Sequence, residues 1–99
     1  MTRKEILTEA ERCVCTDREQ QYGTPENNFR LIAHLWEPYL KAKCVSPGSD
    51  VCINPEDVAV MMALLKIARI ATGEPKADNY VDLAGYAVCA GEIATEVER

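Results

Sequence analysis

The sequence predicts an all-α fold, most simply an antiparallel four-helix arrangement with short connections, and three observations carry that expectation. Helix-start signals stand at Thr2 with Glu5, at Thr24-Pro25-Glu26 and at Asn54-Pro55-Glu56-Asp57. Apolar residues recur at three- and four-residue intervals after each start. No segment of useful length alternates polar and apolar residues as a half-buried strand does.

Thr2 and Glu5 make a capping box, and Ile6, Leu7, Ala10 and Val14 follow at helical spacing, so a first helix of about three turns stops near Thr16. In TDREQQYGTPENNF, Gly23 breaks the chain and Thr24 caps a new start with Pro25 in the first position. This second helix runs to about Lys43, with Phe29, Ile32, Ala33, Trp36, Tyr39 and Leu40 on one face and Arg30, His34, Glu37 and Lys41 on the other. Pro38 is expected to kink or divide it, because proline lacks the backbone donor and clashes with the preceding turn. VSPGSDV reads as an exposed connection.

Asn54 as cap, Pro55 in the first turn and two acids at the positive end of the dipole start a third helix over 55–72. Its body, VAVMMALLKIARIA, is apolar nearly all round, which befits the centre of a bundle or an oligomer interface. Thr72-Gly73-Glu74-Pro75 ends it, and a fourth helix runs from Ala77 or Asp78 to Val97.

At 99 residues, 47% apolar and 27% charged, residues 1–99 are expected to form a single helical domain. A domain of this size buries only about 60 to 65% of its unfolded surface, which favours a homo-oligomer, as does an exposed Leu31 and Leu35 flank. The net charge of −5 argues against nucleic acid as a partner. Five cysteines, an odd number with no C-x-x-C, and the lone His34 form neither a disulfide framework nor a zinc set, and reduced thiols in a cytoplasmic protein are expected. No signal segment follows Met1, and the most apolar run, Val58 to Ala71, contains Lys66 and Arg69 and falls short of the ~20 residues a membrane span needs.

Lys66 and Arg69 are the anomaly, since charges in an apolar helix need partners. Three residues apart, they lie about 60° from each other on one flank. An antiparallel hairpin about Gly73 to Pro75 sets Lys66 level with Asp82 and Arg69 near Asp78. On the fourth helix Asp78, Asp82, Gly85, Cys89, Glu92 and Glu96 form a stripe, acidic with a floor of small residues, where Gly85 permits close approach of a backbone or a ligand. Two explanations stay open. Asp78 and Asp82 either neutralise the two cations as structural ion pairs, or hold a divalent cation, naturally Mg2+, while Lys66 and Arg69 bind a phosphate-bearing ligand. The loop before the second helix adds Arg18, Gln21, Tyr22 and Asn28, either as a ligand lid or as ordinary turn and cap chemistry.

The blocks QYGTPENNF, DVAVMMALLKIAR and DNYVDLAGYA, in that order over roughly residues 18 to 92, resemble a family of short phage and prophage proteins. That family is distantly similar to the MazG-like all-α nucleoside triphosphate pyrophosphohydrolases, which carry E-E-x-x-E and a later E-x-x-D for magnesium. The resemblance implies hydrolysis of a nucleotide between its α and β phosphates. Residue by residue, Asn79-Tyr80-Val81-Asp82 matches E-x-x-D only at Asp82, and Glu56-Asp57-Val58-Ala59-Val60 has two acids but ends in valine. Asp78, one residue earlier, is the candidate for the missing first acid. The site this implies has Asp78 and Asp82 as magnesium ligands, Asp82, Asp78 and Lys66 in catalysis, and Arg69, Arg18, Tyr22, Asn28 and Asn79 on the nucleotide. The competing function class is a non-catalytic helical assembly protein, with the third helix as its interface and the ion pairs setting register.

Overall fold

The computed structural model describes residues 1–17, 24–44, 46 and 50–96. Among these there are four α-helices and no strand: α1 (Arg3–Arg12), α2 (Pro25–Cys44), α3 (Pro55–Thr72) and α4 (Ala77–Thr95). The capping box forms as the sequence requires, with Thr2 Oγ1 accepting from Glu5 N at 3.1 Å and Glu5 Oε1 accepting from Thr2 N at 2.9 Å. The first helix does not stay α-helical to Thr16, however, because Cys13–Asp17 continue as a π-helical segment.

Thr24 Oγ1 accepts from Asn27 N at 3.3 Å to open α2, and Asp57 Oδ2 accepts from Asn54 N at 2.9 Å at the start of α3. Pro38 does not divide α2, which runs unbroken through it. The proline ring is exposed, and Trp36 and Leu40 on either side of it pack against the core, so their burial keeps the segment helical where one backbone bond is lost. Tyr39, expected on the inner face, lies outside with Leu31 and Leu35. His34 is exposed, as expected.

α3 and α4 form the main hairpin, α2 packs chiefly on α3, and α1 packs along α4. The core gathers at one end of that hairpin, where Phe29 and Ala33 of α2 meet Val58 and Ala59 of α3 and Cys89 and Ile93 of α4. Phe29 and Tyr86 face each other with ring centroids 6.2 Å apart. Ile53 joins this core and is held by its backbone N–H, which donates to Glu37 Oε2 at 2.7 Å. α3 is not enclosed by its neighbours: Val60, Leu64 and Ile67 are about half exposed. Among the described residues, the four helices leave one side of it without a cover.

Candidate functional site

At the opposite end of the hairpin, α3 closes with Thr72 Oγ1 donating to the Ala68 carbonyl at 2.9 Å and Gly73 N donating to the Arg69 carbonyl at 3.0 Å. α4 begins four residues later, with Lys76 in extended conformation at its N-cap. Antiparallel packing then brings Lys66 Nζ to 2.8 Å from Asp82 Oδ2, the cross-helix pair that the apolar setting of Lys66 demands. Its ammonium arm is 11% exposed and the Asp82 carboxylate 39%, so the cation is the sheltered partner and the anion faces an opening.

That opening is a groove of about 430 Å³ lined by Lys66, Arg69, Thr72, Gly73, Glu74, Lys76, Asp78, Asn79 and Asp82. Five residues singled out from the sequence, Lys66, Arg69, Asp78, Asn79 and Asp82, converge there. Arg69 and Asp78 line the same groove, both exposed where α3 ends and α4 begins, without forming an ion pair. Asn28 stands half-buried in the first turns of α2 and does not line the groove, and Arg18 and Tyr22 lie outside the described residues. Sequence reasoning missed Thr72, Glu74 and Lys76, which it treated only as the end of one helix and the approach to the next. Their signal was position: a hairpin turn next to an embedded cation faces the same opening as that cation.

Among the described residues no three His, Cys, Asp or Glu side chains converge as a metal cage. Asp78 and Asp82 stand one turn apart on α4, while Asp57 sits at the far end of the hairpin. Two carboxylates fit a magnesium ion that keeps its waters and shares phosphate oxygens, and do not fit an all-protein cage. One oxygen of Asp82 is already committed to Lys66. Gly85 and Cys89, read as a small-residue floor for a ligand, point inward instead, and the space at Gly85 is filled by Val14, whose Cγ1 would stand 3.0 Å from an added Cβ. The close approach that Gly85 allows is that of the π-helical segment after α1.

A second polar groove, of about 330 Å³, lies at the core end between Glu26, Arg30, Asn54, Glu56 and Glu96. Arg30 pairs there with Glu26 at 3.4 Å, both side chains about half exposed. No helix of the described residues is long and apolar enough to cross a membrane.

A family model described as a domain of unknown function (DUF6378) matches residues 5–94. The Gene 55 protein of Mycobacterium phage L5 is 45% identical over 82 residues, which are 83% of this chain and 47% of that protein. The Gene 55 protein of Mycobacterium phage D29 is 40% identical over 91 residues, 92% of this chain and 54% of that protein. The chain thus spans about half the length of these curated relatives. No solved structure matches it.

Proposed function

This chain belongs to the DUF6378 family and is similar to mycobacteriophage Gene 55 proteins, and we propose that it binds the phosphates of a nucleoside triphosphate in the groove at the α3–α4 turn, as a MazG-like pyrophosphohydrolase-type protein. The observation that supports this reading is the convergence of Lys66, Arg69, Asp78, Asn79 and Asp82 on that one groove. Arg69 and Lys76 have no carboxylate partner among the described residues, and so offer charge-assisted donors to phosphate oxygens. The first turn of α4 forms part of the lining, and its amide groups carry the positive end of a helix dipole.

Asp78 and Asp82 are the residues that would hold Mg2+ arriving with the phosphates, where the ion would neutralise charge and acidify a bound water. Lys66 acts as a positioning residue, fixing the Asp82 carboxylate at the groove floor. The reaction this set would serve is hydrolysis between the α and β phosphates.

Thermal melting with Mg2+ alone, with nucleoside triphosphate alone and with both tests the reading, together with an assay for pyrophosphate release. The pair raises the melting temperature more than either component, since a ligand that binds only the folded state stabilises it by mass action. Asp78→Asn with Asp82→Asn removes the magnesium response, and Arg69→Gln weakens nucleotide binding. A wild-type protein with no shift and no pyrophosphate release overturns the proposal. The second reading, a helical assembly protein without catalysis, is favoured by the uncovered apolar side of α3, and self-association is proposed under both readings.

A further inference from the structure

We infer that the exposed side of α3 is a self-complementary interface through which two copies of this chain form a two-fold dimer centred near Leu64. The inference rests on the helix surface and stands whether or not the groove binds nucleotide.

At about 100° per residue, Ile67, Val60, Ala71 and Leu64 fall within about 60° of one another, and Ala68, Met61, Thr72 and Leu65 extend the arc to about 160°. All eight are exposed, whereas Met62, Ala63, Lys66 and Ile70 on the opposite side are half-buried. The helix is therefore apolar on both sides, without the polar outer face of an ordinary amphipathic helix. The stripe itself carries no charge over roughly 18 Å of helix; Arg69 is exposed just outside it, and Lys66 lies on the side turned to the protein. Val60 is 51% exposed, Leu64 58% and Ile67 48%. A contiguous apolar stripe of this kind marks an interaction surface, unlike isolated apolar residues on a monomer's exterior.

Three observations favour a second copy as the occupant. The stripe presents no charge that a partner of opposite sign would match, so an identical stripe meets it without a mismatched or stranded ion. The chain exposes 7075 Å², against roughly 5,600 Å² for an average folded monomer of this mass, and a standard interface needs about 800 Å² from each partner. Only Phe29 and Val58 are large and fully buried among the described residues, so the fold gains from a cover that is present whenever the chain is. Arg69 lies just beyond Leu65, and Thr72 belongs both to the margin of the stripe and to the lining of the groove, so the dimer borders the groove.

Sedimentation equilibrium and light scattering on the intact chain, from 1 to about 100 µM, read the assembly. The expected result is a species of twice the 11.0 kDa chain mass, and Leu64→Glu, which sets like charges across the two-fold axis, lowers self-affinity by at least tenfold with helical content retained. Leu64→Met keeps the dimer. If Leu64→Glu fails to fold, amide exchange on the wild type at the two ends of the concentration range decides: concentration-dependent protection within residues 60–72 supports the interface. A monomer at 100 µM, a dimer indifferent to Leu64→Glu, or protection confined to another helix overturns it. Because these readouts contain no nucleotide or metal, their failure is distinct from failure at the groove.

Discussion

The two ends of the α3–α4 hairpin are built from the same pair of helices and have opposite characters. At one end α2 lies across the pair, and Phe29, Val58, Ala59 and Ile93 close into a dry core. At the other end α2 is absent, and the same helices carry Lys66, Arg69, Asp78 and Asp82 around an open groove. The difference shows what a covering helix decides. Charge lines the hairpin where it meets water at its turn, whereas at the covered end it is held to the rim, at Glu26, Arg30 and Glu56, outside the core that α2 closes. Lys66 is the boundary case, sheltered like a core residue and satisfied by one carboxylate that is not.

If the closed end carries the stability, Phe29→Ala has the largest effect, a loss of about 3–5 kcal/mol in denaturant unfolding. A loss below about 1 kcal/mol would mean that the core there is loosely filled and the contrast between the ends fails.

At the open end, Asp82→Ala leaves the Lys66 ammonium without its partner. The cost is about 1–2 kcal/mol, less than for a fully buried pair because Asp82 is partly hydrated. Lys66→Met in the same background recovers most of it, and a double-mutant cycle measures the coupling directly.

Two glycines of α4 sharpen the contrast between packed and free surface at the scale of one methyl group. An added Cβ at Gly91 would meet nothing within 4 Å, and Gly91→Ala gains about 0.5–1 kcal/mol from helix propensity alone. Gly85→Ala gains the same propensity but meets Val14 Cγ1 at 3.0 Å. The net result is a loss of about 1 kcal/mol, which Val14→Ala in combination reduces.

The smallest effect lies at the edge of the molecule. The capping bonds from the Thr2 backbone and hydroxyl hold the Glu5 carboxyl below its ordinary value of 4.5. A depressed folded-state value contributes stability above about pH 4.5 that is lost as pH falls through the lower, folded value. Thermal melts between pH 6 and pH 3 therefore lose a small increment in the wild type that Glu5→Gln does not lose.

Much of this contrast was legible in the sequence. Caps at Thr2, Thr24 and Asn54 set three helix starts to the residue, because each uses a local hydrogen-bonding signal. The Lys66–Asp82 pair was legible because an embedded cation admits few solutions once a hairpin turn fixes the register. Pro38 does not divide α2, as it could have, because its penalty is local, whereas the burial of Trp36 and Leu40 comes from packing against the core. Gly85 misled for a related reason: its neighbour, Val14, is 71 positions away in sequence. Thr72 and Glu74 were missed because turn chemistry explained them fully when read alone, and Lys76 because it falls between that turn and the next helix.

The bond from Ile53 N to Glu37 Oε2 has a consequence for the connection between α2 and α3. With the exposed pair of Lys41 Nζ and Asp50 Oδ1 at 2.8 Å as a weaker second link, it joins α2 to the chain just after residues 45–49. The two helices are tied to each other by groups outside that segment, so its length is decoupled from their spacing. Doubling the length of such a connection costs only about 0.6 kcal/mol of closure entropy. The two bonds thus make this connection a natural port for grafting a foreign peptide.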